Sequence, residues 1–193
     1  MICGWTILVL LAGLVAGIGW MRIRYMEDVR YHAGLRRTII LRSDAFPEGG
    51  HIPEPFTCKG EGSSPPLTWS NLPTGTKSLA LLVTDEDLPA PTFPFFNIVH
   101  WGLYDVPGKI PNCAQGLTDG NLKRGQVRQI PNWSRRTGYY PPCPLYGDHR
   151  YAFRIYALDV QRIGGEIRNR DALLAAMKGR ILAYGELNGH RRR

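Results

Sequence analysis

The chain has no charged side chain before Arg22, and acidic residues remain scarce after it. Its 16 Asp and Glu stand against 24 Lys and Arg, a formal net charge of +8. That balance excludes an acidic, self-repelling solvating protein and leaves phosphate groups, membrane surfaces and nucleic acid open as partners. Compact catalytic motifs are also missing. There is no HExxH or CxxC pair for a metal, no GxSxG nucleophile turn, and no Walker or Rossmann glycine pattern. No internal repeat occurs, and the terminal Arg191-Arg192-Arg193 is the only low-complexity run. Glycine and proline, by contrast, are plentiful at 22 and 15, which demands many turns and excludes an all-helical bundle. With 44% hydrophobic and 21% charged residues, wholesale disorder is excluded. A length of 193 residues suits one domain with an appendage.

The appendage is at the start. Ile2 to Trp20 contains 19 uncharged residues, which as a helix would span roughly 28 Å, close to a bilayer's hydrocarbon core. Nothing basic precedes the run, and Ala16-Gly17 is a weak cleavage site with Leu14 where a small residue is usual. Cys3 stands before the run, whereas a lipoprotein anchor needs its Cys after it. The preferred reading over residues 2–20 is therefore an uncleaved single-pass anchor, with Trp5 and Trp20 at the two interfaces. A basic juxtamembrane linker follows over 21–37, or a continuation of the helix, serving as a solvated spacer, a contact for anionic headgroups, or both. Its Arg22, Arg24, Arg30, Arg36 and Arg37 lean the soluble domain toward the cytoplasm by the positive-inside rule, though a large domain can translocate regardless. Outside the run, Cys58, Cys113 and Cys143 fit either three cytosolic thiols or one bridge plus a free thiol.

The domain is expected over 38–193. Strands are predicted at Thr38–Leu41, Leu67–Trp69, Ser78–Thr84, Phe95–Tyr104 and His149–Val160. Ser78–Thr84 is almost wholly apolar and reads as a central strand. In His149–Val160 strict alternation puts His149, Tyr151, Phe153 and Ile155 on one face. Apolar spacing over Asp171–Tyr184 predicts a helix capped by Asp171. Residues 115–144 form a long irregular loop bearing Lys123, Arg124, Arg128, Arg135 and Arg136. Strands followed by a late helix predict a mainly β fold, an antiparallel sandwich with a C-terminal helix behind one N-terminal transmembrane helix.

Candidate chemistry collects at strand ends. Asp85-Glu86-Asp87-Leu88-Pro89 follows the most apolar strand, and an extended chain puts Asp85 and Asp87 on one side and Glu86 on the other. The bland alternative is a solvated turn. His100 sits in an apolar strand, where an isolated His is more often a hydrogen-bonded core residue than a ligand. A Pro-rich loop, Gly138 to Asp148, leads into His149 and Tyr151. Two His and two Asp suit metal ligation or an anion site in which imidazoles donate and carboxylates orient them. No pair has metal-motif spacing, so no metal is predicted.

Several stretches, in order, resemble the phosphatidylethanolamine-binding protein family, in particular its bacterial, Raf-kinase-inhibitor-like branch. They are His51-Ile52-Pro53, Phe56 to Gly60, Ser64 to Trp69, Lys77 to Ala80, Asp85 to Pro89, Phe96 to Trp101, Pro142 to Gly147 and His149 to Tyr151, with Gly179–Ala183 and Glu186–Gly189 resembling the family's C-terminal helix. The resemblance covers residues 38–190. It implies a large antiparallel sheet packed on a smaller one, with an anion cavity at one end lined by Asp85, Asp87, His100, His149 and Tyr151. Pro142, Cys143, Pro144 and Gly147 would form the rim. It also implies a possible Cys58–Cys143 bridge if the domain lies outside the cytoplasm, with Cys113 left free; the alternative is two buried thiols. Two positions depart from the family: Glu86 stands where it has proline, and Leu145 where its rim has proline. The carboxylate geometry and rim stiffness are expected to loosen accordingly.

The function implied is a membrane-tethered module that binds a small phosphoryl or carboxylate anion, with no cofactor and no catalytic residue, and with a regulatory role. Two alternatives stand beside it. One is a hydrolase using the same Asp/His set. The other is a regulator that grips a protein partner through the basic loop and tail. Scattered basic residues without a nucleic-acid motif argue against DNA or RNA.

Overall fold

Segments buried on both faces, Ser78 to Glu86 and Tyr151 to Leu158, form the centre of the fold. The computed structural model describes residues 4–113, 115, 116 and 127–193; Cys3, Lys123 and Arg124 lie outside these. A long helix, α1 (Gly4–Ala33), comes first. Then follow β1 (Ile40–Arg42), β2 (Gly50–His51), a 3-10 turn (Glu54–Phe56), β3 (Leu67–Ser70) and β4 (Ser78–Ala90). The remainder is β5 (Phe93–Pro107), β6 (Asn112–Cys113), β7 (Arg128–Gln129), β8 (Asp148–Leu158), α2 (Arg170–Met177) and β9 (Ile181–Arg192). The fold is mainly β, with one helix near each end.

Six strands form the large sheet in the order β2-β9-β8-β4-β5-β7, and three form the small one, β1-β3-β6. Neighbours are antiparallel except β2 and β9, which run parallel. Leu79, Leu81 and Val83 of β4, with Phe153 and Ile155 of β8, face the small sheet's Leu41, Leu67 and Trp69. The alternate residues Ala80, Leu82 and Tyr156 face outward onto Leu173 and Met177 of α2. Both faces of β4 are thus covered, which accounts for its nearly continuous apolar run. Each fully buried Leu, Phe or Ile here contributes about 1.5–3 kcal/mol relative to exposure.

The C-terminal helix is shorter than the sequence suggests. Asn169 caps it, its side chain accepting from Ala172 N at 2.9 Å, and Asp171 lies in the first turn instead of at the cap. The helix ends at Met177, and Gly179 turns the chain with φ +75°. The stretch from Ile181, expected to be helical, is instead β9, hydrogen-bonded along β8. Tight packing explains why. A Cβ on Gly185 would lie 2.5 Å from Ile39 O, and one on Gly189 would lie 2.7 Å from Ile52 Cγ1. The two glycines let the strand lie against neighbours that a larger residue would push away.

Residues Leu8–Ala33 form a helix long and apolar enough to cross a membrane by length and composition. Residues 21–33, read from sequence as a linker or a continuation of the helix, continue α1 and dock on the outer face of the large sheet. Asp28 pairs with Arg170, and His32 Nε2 lies 2.8 Å from Tyr156 Oη. The residues before this docked turn, such as Leu10, Leu14 and Val15, are exposed.

Candidate anion-binding site

The β4–β8 ladder ends at the pair Asp85 and Tyr151. Asp85 continues the inward-facing series Leu79, Leu81, Val83, so its carboxylate enters the space between the sheets and is buried. Beyond this pair the strands diverge, and side chains replace the ladder. Asp85 Oδ1 accepts from Asp87 N at 3.0 Å, and Asp87 Oδ2 accepts from Arg150 N at 2.7 Å. The segment 85–87 is therefore strand and not a solvated turn. Burial pushes the Asp87 carboxyl above its ordinary value, opposed by the Arg150 N–H.

Glu86 points to the opposite face, as the alternation requires, and is buried there. It pairs with Arg154 and, at 3.0 Å, with Arg150, and Arg154 also pairs with Glu186. Glu86 thereby ties this end of β4 to β8 and β9 through a buried ion network.

His149 precedes Tyr151 by two residues on the same face of β8. Its Nδ1 lies 2.8 Å from Asp85 Oδ2. A carboxylate only accepts, so the proton is on Nδ1. His100, on β5, places Nδ1 2.6 Å from Tyr140 O, while Tyr140 N donates back to His100 O at 2.7 Å. A carbonyl likewise only accepts, so this ring too carries its proton on Nδ1. Burial pushes the His100 pKa below its ordinary value and keeps the ring neutral. The His100 and Tyr151 rings meet edge-on with centroids 5.1 Å apart. Burial and then the Asp85 charge push the Tyr151 phenol upward, so it remains a donor.

Three polar atoms at this place are buried without a partner: His100 Nε2, His149 Nε2 and Tyr151 Oη. Leaving such groups unpaired costs about 1–3 kcal/mol each, so a cluster of three marks a place for something polar. The tautomers refine the expected chemistry. With its ring kept neutral, His100 Nε2 is a bare lone pair and not a donor, while His149 has its Nδ1 proton committed to Asp85. At His100 an anion needs either a proton added to the imidazole or a proton of its own to share.

The rim is tethered on two sides. Cys58 and Cys143 form a disulfide with Cα atoms 5.4 Å apart, and Cys58 N donates to Pro142 O at 3.1 Å. Tyr146 Oη donates to Pro89 O, joining the loop to the end of β4. Gly147 takes φ +77° and packs near Pro91. Leu145 is 77% exposed, with both of its flanks tied. Cys113 is a buried free thiol whose pKa burial pushes up to about 12.

The geometry thus brings Asp85, His100, His149 and Tyr151 together, while Asp87 joins through Asp85 and Arg150. Sequence reasoning assigned no role to Tyr139 or Tyr140. Tyr140 orients His100, and Tyr139 Oη donates to Phe56 O at 3.1 Å behind the rim. Their uncharged, aromatic Gly138–Gly147 context was the available signal. Among the described residues no group of three His, Cys, Asp or Glu is placed to hold a metal ion. A separate concavity of about 460 Å³ lies between α1 and β5, lined by Trp20, Tyr25, Phe96 and Trp133. Four of its charged groups pair with one another, Arg24 with Asp171 and Asp28 with Arg170, and Arg135 also lines it.

The sequence profile of the phosphatidylethanolamine-binding protein family matches residues 42–192. The chain belongs to this family. A UPF0098 protein of Chlamydia muridarum is 40% identical over 151 residues, covering 77% of this chain and 95% of that one. A UPF0098 protein of Methanothermobacter thermautotrophicus is 38% identical over 154 residues, covering 79% and 98%. Among solved structures, a putative phosphatidylethanolamine-binding protein homolog of Chlamydia trachomatis superposes with TM-score 0.72 at 37% identity, covering 81% of this chain and 99% of that chain. The E. coli YbcL structure, described as a new member of the mammalian family, gives TM-score 0.70 at 25% identity, covering 80% and 98%. The matched residues carry every group in the strand-end cluster.

Proposed function

We propose that this chain is a membrane-tethered, non-enzymatic binding module that holds a small phosphoryl-type anion at His100, His149 and Tyr151. Asp85 orients His149, and Asp87 ties the end of β4 to Arg150 of β8. The observation that carries this reading is the trio of buried, unpartnered atoms His100 Nε2, His149 Nε2 and Tyr151 Oη. Tyr151 donates outright. Each imidazole accepts from a protonated phosphoryl oxygen or becomes a donor by taking up a proton. Asp85 compensates the imidazolium that results. The family's name supports a phosphoryl headgroup as the ligand class. The apolar α1 supports an anchor, and the Cys58–Cys143 bridge supports placing the domain on the oxidising side of the membrane. The arginines after the span do not oppose that placement strongly, because large domains translocate regardless of charge.

Calorimetric titration of the full chain with inorganic phosphate and O-phosphoethanolamine tests the reading. Binding by the wild type that is weakened at least tenfold in His149→Ala is expected. Equal binding by both, or binding by neither, overturns it.

A further inference from the structure

We propose that the end of the domain bearing the anion site is also its membrane-contact surface, with Phe93, Leu145 and Tyr146 seated among the headgroups of the bilayer that α1 spans. This rests on the anion site and the span proposed above. The direction of α1 comes first. Arg22 donates to Pro94 O at 3.1 Å, and Asn97 donates to Asp28 at 3.2 Å. Further along, His32 reaches Tyr156. Residue numbers on α1 and β5 therefore rise together. The apolar residues before Arg22 project past the β4–β5 hairpin end, which is the end at which Asp85, His149 and the rim lie.

Two uncharged segments meet at this end. Leu88 to Phe96 carries no charge, and neither does Tyr139 to Gly147. Tyr146 Oη donates to Pro89 O, and Gly147 packs near Pro91, so the two segments form one surface. Three large side chains on it face outward: Phe93 at 59%, Leu145 at 77% and Tyr146 at 52% exposure. One exposed apolar residue needs no explanation. A cluster next to the emergence of an apolar helix does. Aromatic rings and tyrosine suit the interfacial zone. Pro89, Pro91 and Pro94 have no N–H to strip of water, which lowers the cost of burying this backbone. Arg22, at the emergence point, is placed to meet lipid phosphates. A phosphoryl headgroup would then reach the site from the lipid surface.

Depth measurements on the full chain in phosphatidylcholine nanodiscs test this. An environment-sensitive NBD label is placed at Phe93→Cys or, as a control beyond the other end of β5, at Lys109→Cys. Cys3→Ser removes the one competing thiol near the terminus; Cys113 is buried and Cys58–Cys143 is bonded. The label at 93 is expected to shift to the blue and to be quenched by lipids bearing a headgroup nitroxide, while the label at 109 does neither. A label at 93 as wet as that at 109, or a chain that does not enter the discs, overturns the proposal. Phosphate titration of the same discs separates the two readings. Phosphate binding with a wet label at 93 removes only the contact surface. A lipid-buried label with no phosphate binding removes the anion site and leaves the contact surface.

Discussion

His149 Nδ1 lies 2.8 Å from Asp85 Oδ2, across adjacent strands of the large sheet. The contact commits that ring's proton to the carboxylate side and turns Nε2, unpaired, toward the site. Asp85→Asn keeps an acceptor for Nδ1 but removes the charge that favours an imidazolium. A charge-assisted hydrogen bond is worth roughly twice a neutral one. Phosphate affinity is therefore expected to fall about tenfold, or about 1.4 kcal/mol, with little change in melting temperature. A calorimetric affinity that rises would mean that Asp85 acts mainly by repelling the ligand.

Ligand-free stability is expected to depend on pH through His100. Burial lowers its folded pKa, while its unfolded value stays near about 6.5. The unfolded chain then binds the extra proton, so stability is full above about pH 6.5 and is lost as pH falls from there through the folded pKa. His100→Asn, whose amide can replace Nδ1 as donor to Tyr140 O, should flatten this part of the curve. Denaturant midpoints across the range, wild type against variant, measure it. An unchanged slope counts against His100 as the source.

The bare Nε2 of His100 also separates two anions. Sulfate has no proton to share near neutrality, so a hydrogen bond to His100 requires a protonated imidazole. Phosphate can bring its own. Sulfate affinity is expected to fall more steeply than phosphate affinity as pH rises between about 5.5 and 7.5. Parallel curves in competition titrations would contradict the tautomer inferred from Tyr140.

The Cys58–Cys143 bridge closes a separation of 85 residues and holds the rim. Replacing both cysteines by serine is expected to cost about 2–5 kcal/mol in denaturant unfolding and to weaken phosphate binding by loosening Pro142–Gly147. Thiol counting on the full chain, purified without reductant, should find Cys58 and Cys143 blocked. Two further free thiols at those positions would contradict an oxidising location.

Glu86 shares Arg154 with Glu186 on the face opposite the site. Glu86→Ala leaves a buried guanidinium underpaired and is expected to destabilise the fold by about 3 kcal/mol. Glu86→Gln, which retains an acceptor, should cost less. Equal costs in chemical denaturation would assign the loss to packing instead of charge.

The sequence made the central sheet readable wherever one physical signal dominated. The near-continuous apolar run Ser78–Thr84 gave β4, and the His149–Ile155 alternation gave β8. Alternation placed His149 beside Tyr151 and Asp85 beside Asp87, but gathering these with His100 into one set rested on the family resemblance, because alternation relates residues of one strand only. β9 was missed because Leu182, Ala183 and Leu187 also fit helical spacing. Gly185 and Gly189 were the contrary signal: glycines are poor in a helix but suit a strand packed tightly on Ile39 and Ile52. The docking of residues 21–33 could not be read from one segment, since Asp28 and His32 find Arg170 and Tyr156 more than a hundred residues away. Nor could the tautomers, which depend on Tyr140 O and Asp85 approaching particular ring nitrogens.

The most direct test of the anion site is nitrogen-15 NMR of histidine-labelled full chain, titrated with inorganic phosphate. Nε2 of His100 is predicted to move from the bare toward the proton-bearing resonance as phosphate binds, while Nδ1 of both His100 and His149 stays proton-bearing. Phosphate that binds without moving the His100 Nε2 resonance would contradict the site proposed here.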